Sequence, residues 1–261
     1  MGHSCKAPKR LMWRYIAAKA TGTSHLKDNL PCQDMLACQT VPSGGLIAVI
    51  ADGAGSAKRA GRGAEIAVDS VVTDLTRRLV DPRPDYNRLL CEAAASAREA
   101  IATEAARDGA SIREYACTLL AVVSGGSGGG ALQIGDGVIV AGDGGGEWSW
   151  MFWPQRGEYA NTTHFLTDED YVGRTMVDVF PNTLSDVALM SDGLEPLALN
   201  YTSKSVHDPF FAGLFQPLVQ SGGDGEIEPM SASLERFLCS ERVTTRTDDD
   251  LSLIAATRRT R

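Results

Sequence analysis

Residues 58–107 read as helix almost throughout, and that block dictates the layout of the rest. Apolar residues recur at helical spacing (Ile66, Val68, Val71, Val72, Leu75, Leu79, then Leu89, Leu90, Ala94, Ala97, Ile101), and Asp81-Pro82-Arg83-Pro84 cuts the block in two. Two Ala-rich helices joined so closely fold back as a hairpin and need an apolar surface to cover. Strand-like runs supply it on both sides, at residues 12–19 and 46–51 before the block and at 118–123, 131–134, 138–140, 148–153, 186–190 and 251–256 after it. Further helices are expected at 209–219 and 231–239. Strands, then two helices, then strands again is an α+β pattern of layered sheets covered by helices, not regular βαβ winding. The glycine-rich stretch 124–130 reads as a flexible hairpin loop, because it lacks the lysine and following helix of a phosphate-binding loop.

Composition excludes several classes of function. The chain has 261 residues and a formal charge of −8, so it offers no basic face to a nucleic acid or an anionic membrane. No apolar run is long enough to span a bilayer, and the polar start lacks a signal core, so a cytoplasmic protein is expected. Residues 1–10 read as a tail and 11–258 as a single domain. The cysteines are scattered with no C-x-x-C pair, which suits reduced thiols packed as small hydrophobes.

Four aspartates share one context, an apolar strand running into a tight turn that opens on the acid: Asp52 in AVIADGAG, Asp136 in LQIGDG, Asp192 in ALMSDG and Asp249 before LSLI. Singly, each is a turn residue. Together, acids gathered at one edge would repel unless hard cations joined them, and oxygen-only ligands suit magnesium or manganese.

These segments, in this order, resemble the metal motifs of the protein phosphatase 2C family, as does Asn29-Leu30-Pro31-Cys32-Gln33-Asp34, where the family has an acidic pair. Residues 157–167 further resemble a compact bacterial branch of that family. The resemblance implies a four-layer αββα sandwich of two antiparallel sheets flanked by helix pairs, and hydrolysis of phosphoserine and phosphothreonine in proteins by a metal-activated water. It implies catalytic roles for Asp52, Asp192 and Asp249, with Mg2+ or Mn2+ held at Asp34, Asp52, Gly53, Asp192 and Asp249. Asp52 would bridge two ions, and Asp136 with Asp192 would hold a weaker third. The implied partners are phosphorylated proteins and a Ser/Thr kinase acting on them, and residues 156–182 would form a flap beside the site.

Three positions depart from that pattern. Ala54 stands where many relatives have a histidine proposed as general acid, and Gln33 replaces the first acid of the pair. The arginine that grips substrate phosphate aligns with His25 counting forward from Gly22 and with Asn29 counting back from Asp34. A protonated His25, or nearby Lys27, could contact phosphate, and Arg14, Arg59 and Arg62 are further cationic candidates. Two readings follow: a working phosphatase, or a phosphatase-like module that binds phosphoproteins or a kinase without turnover.

Overall fold

The computed structural model describes residues 11–80, 83–126, 128–155, 163–181 and 184–260. The tail at 1–10 and the first part of the expected flap, 156–162, lie outside the described residues.

One sheet contains β1 (Leu11–Ala20), β6 (Val138–Gly142), β7 (Trp148–Phe152), β9 (Asp186–Met190), β12 (Gly225–Glu226) and β13 (Leu251–Thr260). Their order is β12-β1-β13-β9-β6-β7. The other contains β2 (Met35–Thr40), β3 (Leu46–Ala51), β4 (Leu119–Gly125), β5 (Gly128–Ile134) and β8 (Met176–Phe180), in sequence order. All pairs are antiparallel except the two-residue contact of β12 with β1. A separate small hairpin pairs β10 (Leu199–Asn200) with β11 (Ser205–Val206).

Helices cover both outer faces. The pair α2 (Ala60–Arg78) and α3 (Tyr86–Arg107) buries Val68, Val71, Leu75, Leu90 and Ile101 against Val49, Leu119 and Ala121 of the second sheet. Each large side chain buried this way contributes about 1.5–3 kcal/mol. On the first sheet, α6 (Asp208–Gln220) and α7 (Glu228–Leu238) bury Phe211, Phe215, Leu234 and Leu238 against Val138, Ala188 and Leu253. Between the sheets lie Trp13, Leu46, Ile50, Leu120, Ile139, Leu189 and Ile254. Every residue of β3 is therefore buried, facing helices on one side and the opposite sheet on the other, as in any sheet covered on both faces. Short helices α1 (Thr23–Lys27), α4 (Tyr171–Arg174), α5 (Glu195–Ala198) and α8 (Glu241–Thr244) complete the chain. Among the described residues no helix is long and apolar enough to cross a membrane.

The αββα sandwich expected from the sequence is the fold observed, with two local corrections. Residues 124–130 are not a loop: β4 runs to Gly125 and β5 begins at Gly128. The glycines serve close packing, since a Cβ on Gly130 would lie 2.8 Å from Leu90 Cδ1 of α3 and one on Gly125 would lie 2.4 Å from the Tyr86 hydroxyl. The stretch 163–181 is not open flap either, because it contains α4 and the edge strand β8, whose Val177 pairs with Leu132. Among the described cysteines, Cys32, Cys38, Cys91, Cys117 and Cys239 are free thiols.

Candidate active site

Register alone brings the acids to one edge of the sandwich. Asp34 immediately precedes β2 and Asp52 follows β3, and these strand ends face each other through the pair Met35 with Ala51. Asp192 follows β9 and Asp249 lies just before β13, with Leu253 paired to Met190. Asp136 sits where the chain crosses from β5 to β6, and Val138 also pairs with Met190. Strands that end together thus bring all five acids to one edge of the sandwich.

The local backbone fixes each of them. The Asp52 N–H donates to Thr118 Oγ1 at 3.0 Å, and its carbonyl accepts from Thr118 N–H at 2.8 Å. Gly53 bridges Cys117, and a Cβ there would fall 2.8 Å from the Ala60 carbonyl carbon and 2.9 Å from the Gln33 carbonyl oxygen. Only glycine lets the loops bearing Asp34 and Asp52 approach so closely. Ala54 donates its N–H to the Ala116 carbonyl, so the loop after Asp52 is clasped from behind.

Crowding shows in the acids' proton affinities. Asp34 is pushed up to about 6, first by burial and then, against the opposing help of hydroxyls, by the Asp250 carboxylate. Asp52 is raised well above the usual carboxylate range by burial and by Asp34 and Asp192. Asp136 is pushed up to about 7 by burial and then by Asp192, and Asp249 is raised by partial desolvation and Asp192. Each acid here feels at least one other.

Whether the site suits cations is decided by its unpartnered atoms. Both oxygens of Asp34, Oδ1 of Asp192 and Oε1 of Gln33 are buried without a well-formed hydrogen bond. Ser191, Ser252 and Asp52 stand next to Asp34 and lower its proton affinity, but none makes a well-formed hydrogen bond to it. Buried acceptors with no donor are costly unless something positive meets them. The arginines do not: Arg14 donates to the carbonyls of Val219 and Ser221, Arg59 pairs with Glu114 and Asp108, and Arg62 pairs with Glu65 and Glu104. Among the described residues no three acidic, histidine or cysteine side chains converge closely enough to hold a metal ion as they stand. The acids nonetheless sense one another, Asp52 feeling Asp34, Asp192 and Asp249 at once. The donor set, all oxygen and all acceptor, fits hard divalent cations.

The two substrate candidates separate. Asn29 occupies a left-handed turn (φ 56°) just after α1, with an exposed side chain. His25, on α1, points its Nδ1 at Asp250, 2.9 Å from Oδ2. Asp250 is the residue that sequence reasoning missed: its side chain is only 2% exposed, and it also accepts the N–H of Gly22 at 2.7 Å and of Gln33 at 2.5 Å. Glu195 is a second omission, a buried acid whose charge acts on Asp136. The aromatic hairpin is packing in part, with Trp148 5.8 Å from Phe215 and 6.2 Å from Phe211, while Trp150, Trp153 and Tyr201 form an edge-to-face run beside it.

Fold and acids together define a class, the four-layer sandwiches equipped with carboxylates for divalent cations. Comparison gives the family: the sequence profile of protein phosphatase 2C matches residues 21–239. Serine/threonine-protein phosphatase 3 of Escherichia coli (strain K12) is 35% identical over 251 residues, covering 94% of this chain and 98% of its own. Among solved structures, the catalytic domain of the phosphatase PstP in complex with two manganese ions is 18% identical with a TM-score of 0.62, covering 95% of this chain and 99% of its own. PppA, a regulatory component of a secretion system in Pseudomonas aeruginosa, is 16% identical with a TM-score of 0.63, over 96% of this chain and 100% of its own. The chain belongs to the protein phosphatase 2C family.

Proposed function

We infer that the chain is a metal-dependent protein phosphatase that hydrolyses phosphoserine and phosphothreonine, as the name of its E. coli relative indicates for that protein. The observation that carries this beyond family membership is the gathering of Asp34, Asp52, Asp136, Asp192 and Asp249 at one sandwich edge, with both oxygens of Asp34 and one of Asp192 buried without a well-formed hydrogen bond. In this reading Asp34, Asp52, the Gly53 carbonyl, Asp192 and Asp249 would hold two divalent ions, magnesium or manganese, and Asp136 with Asp192 would hold a weaker third. Bound there, such ions would activate water, neutralise the phosphate and align the two for in-line displacement.

The chain's own residues do the rest. Asp52 is held at its backbone by Thr118, so its carboxylate keeps its place while charge in the cleft changes. His25 is assigned the contact to substrate phosphate rather than Asn29, because its ring stands at the acid cluster while Arg14, Arg59 and Arg62 are paired elsewhere. A kinase that phosphorylates serine or threonine must supply the substrate, and a cytoplasmic setting fits both. The test is manganese-dependent release of phosphate from phosphoserine, phosphothreonine and phosphotyrosine peptides. The first two should be cleaved and the third spared. If none is cleaved above the level of an Asp52→Asn control, the reading fails.

A further inference from the structure

The loop from Gly22 to Asp34 lies against the acid-bearing turn as if soldered to it. A Cβ on Gly22 would sit 2.3 Å from the carbonyl carbon of Asp249, so backbone rests directly on backbone. Ser24 donates both its N–H (3.0 Å) and its hydroxyl (2.6 Å) to the Asp248 carbonyl. Asp250 closes the arrangement from within: one buried carboxylate takes Gly22 at the loop's start, Gln33 near its end and the His25 ring between them. Two backbone N–H groups would suffice to anchor a loop. The third bond is spent on a ring, and a carboxylate on Nδ1 fixes which way an imidazole faces.

With Nδ1 turned inward, Nε2 is left on the opposite side of the ring. No described group bonds it, and the side chain is 14% exposed. The imidazole is also close enough to Asp249 for its charge to favour that carboxylate's ionised form. A donor held at this place stands beside the acid cluster.

We propose that Asp250 is a positioning residue: through its bond to His25 Nδ1 it holds the imidazole with Nε2 outward, where it grips an oxygen of the incoming phosphate. The proposal rests on the phosphatase reading for its substrate, but phosphate binding can be measured without turnover. Held between the Asp250 carboxylate and a phosphate oxygen the ring must donate from both nitrogens, so a ring that starts neutral takes up one proton, from solvent or from the phosphate itself, as it binds. Asp250 is not assigned to the metals, because its two oxygens are already taken by N–H donors.

The experiment is a double-mutant cycle of Asp250→Asn and His25→Ala in the manganese-loaded protein, with orthophosphate affinity measured by calorimetry and kcat/KM on phosphopeptide. Each single variant should weaken orthophosphate about 10-fold or more, the scale of a hydrogen bond to a charged group. In the His25→Ala background, Asp250→Asn should then cost less than about twofold further. Equal losses in both backgrounds would overturn the proposal and leave Asp250 a loop anchor. Loss of manganese affinity in Asp250→Asn would overturn it too, by placing the effect on Asp249. Should Asp250→Asn not fold, His25→Ala decides alone: orthophosphate bound within twofold of the parent protein refutes the grip. If phosphate binds as expected while no peptide is cleaved, the parent reading fails and this one stands.

Discussion

The two ends of the acid cluster solve the same electrostatic problem differently. At the inner end, Asp34 is buried and its oxygens lack good donors, and Asp52 beside it is raised well above the usual carboxylate range. At the outer end, Asp250 is just as buried yet fully satisfied, with two backbone N–H groups and a histidine. A carboxylate that already has donors needs no cation, while one without them must take up a proton or a metal. In the proposed reading the contrast divides the labour: the inner acids would take up ions, and the outer one would organise the loop that meets substrate.

Removing charge from the inner end should do most damage. Asp52→Asn should lower turnover by more than about 10³-fold, since ions at such a site supply several kcal/mol of charge stabilisation. Calorimetry should show manganese binding lost in step. Undiminished binding in that variant would erase the distinction drawn above. The same substitution should raise the melting temperature in EDTA, because without ions it relieves repulsion.

A smaller loss is expected at Asp136, which lies at the margin of the cluster. Asp136→Ala should spare the two tighter ions and reduce turnover roughly 10- to 100-fold, the usual cost at the edge of a metal site. Manganese stoichiometry and kcat measured together would show it. If all ions are lost, the acids form one site and not a graded one.

Acidity offers a third probe. Asp34 titrates near 6 and Asp136 near 7 in the folded chain, above the ordinary range near 4. Below about 4 both states are protonated, and between that value and about 7 the folded state holds more protons than the unfolded. In EDTA, stability should therefore fall as pH rises from about 4 to 7, by roughly 2–4 °C of melting temperature per kcal/mol for a chain of this size. Excess manganese should flatten or reverse that slope. A melting temperature that climbs with pH in EDTA would mean that the inner acids are not strained at all.

The smallest effect belongs to Asn29. Its left-handed backbone suits glycine, so Asn29→Gly should leave kcat/KM within about twofold and stability within a few tenths of a kcal/mol. A drop beyond 10-fold would move the phosphate contact from His25 to Asn29.

Much of this was legible in the sequence, and the reason is local. Asp52, Asp136 and Asp192 each end an apolar run and meet a glycine, so strand, turn and acid are written side by side. The helical hairpin was equally plain, with α2 and α3 observed at 60–78 and 86–107 against the block expected at 58–107. What escaped lies in distant pairings. Asp250 looked like one of three consecutive aspartates, and its meaning appears only when Gly22, 228 residues away, arrives beside it. The strands β2 and β8 were missed because they are half-exposed edges with mixed polarity, and the glycines of β5 because their role is to admit Tyr86 and Leu90 from another layer.

The placement of β13 has a consequence in time. It lies between β1 and β9 and carries Asp249 and Asp250 at its start, so the first strand and the cleft both wait for residues 249–260. On the ribosome, the chain leaves vectorially, and the inner acids emerge long before the strand that completes their surroundings. A nascent or truncated chain would hold Asp34 and Asp52 without Asp249, the pinned loop or the long pairing of β1 with β13. If Asp249 holds metal as proposed, phosphate chemistry would have to wait until this strand is made and paired, a pairing over a long sequence separation.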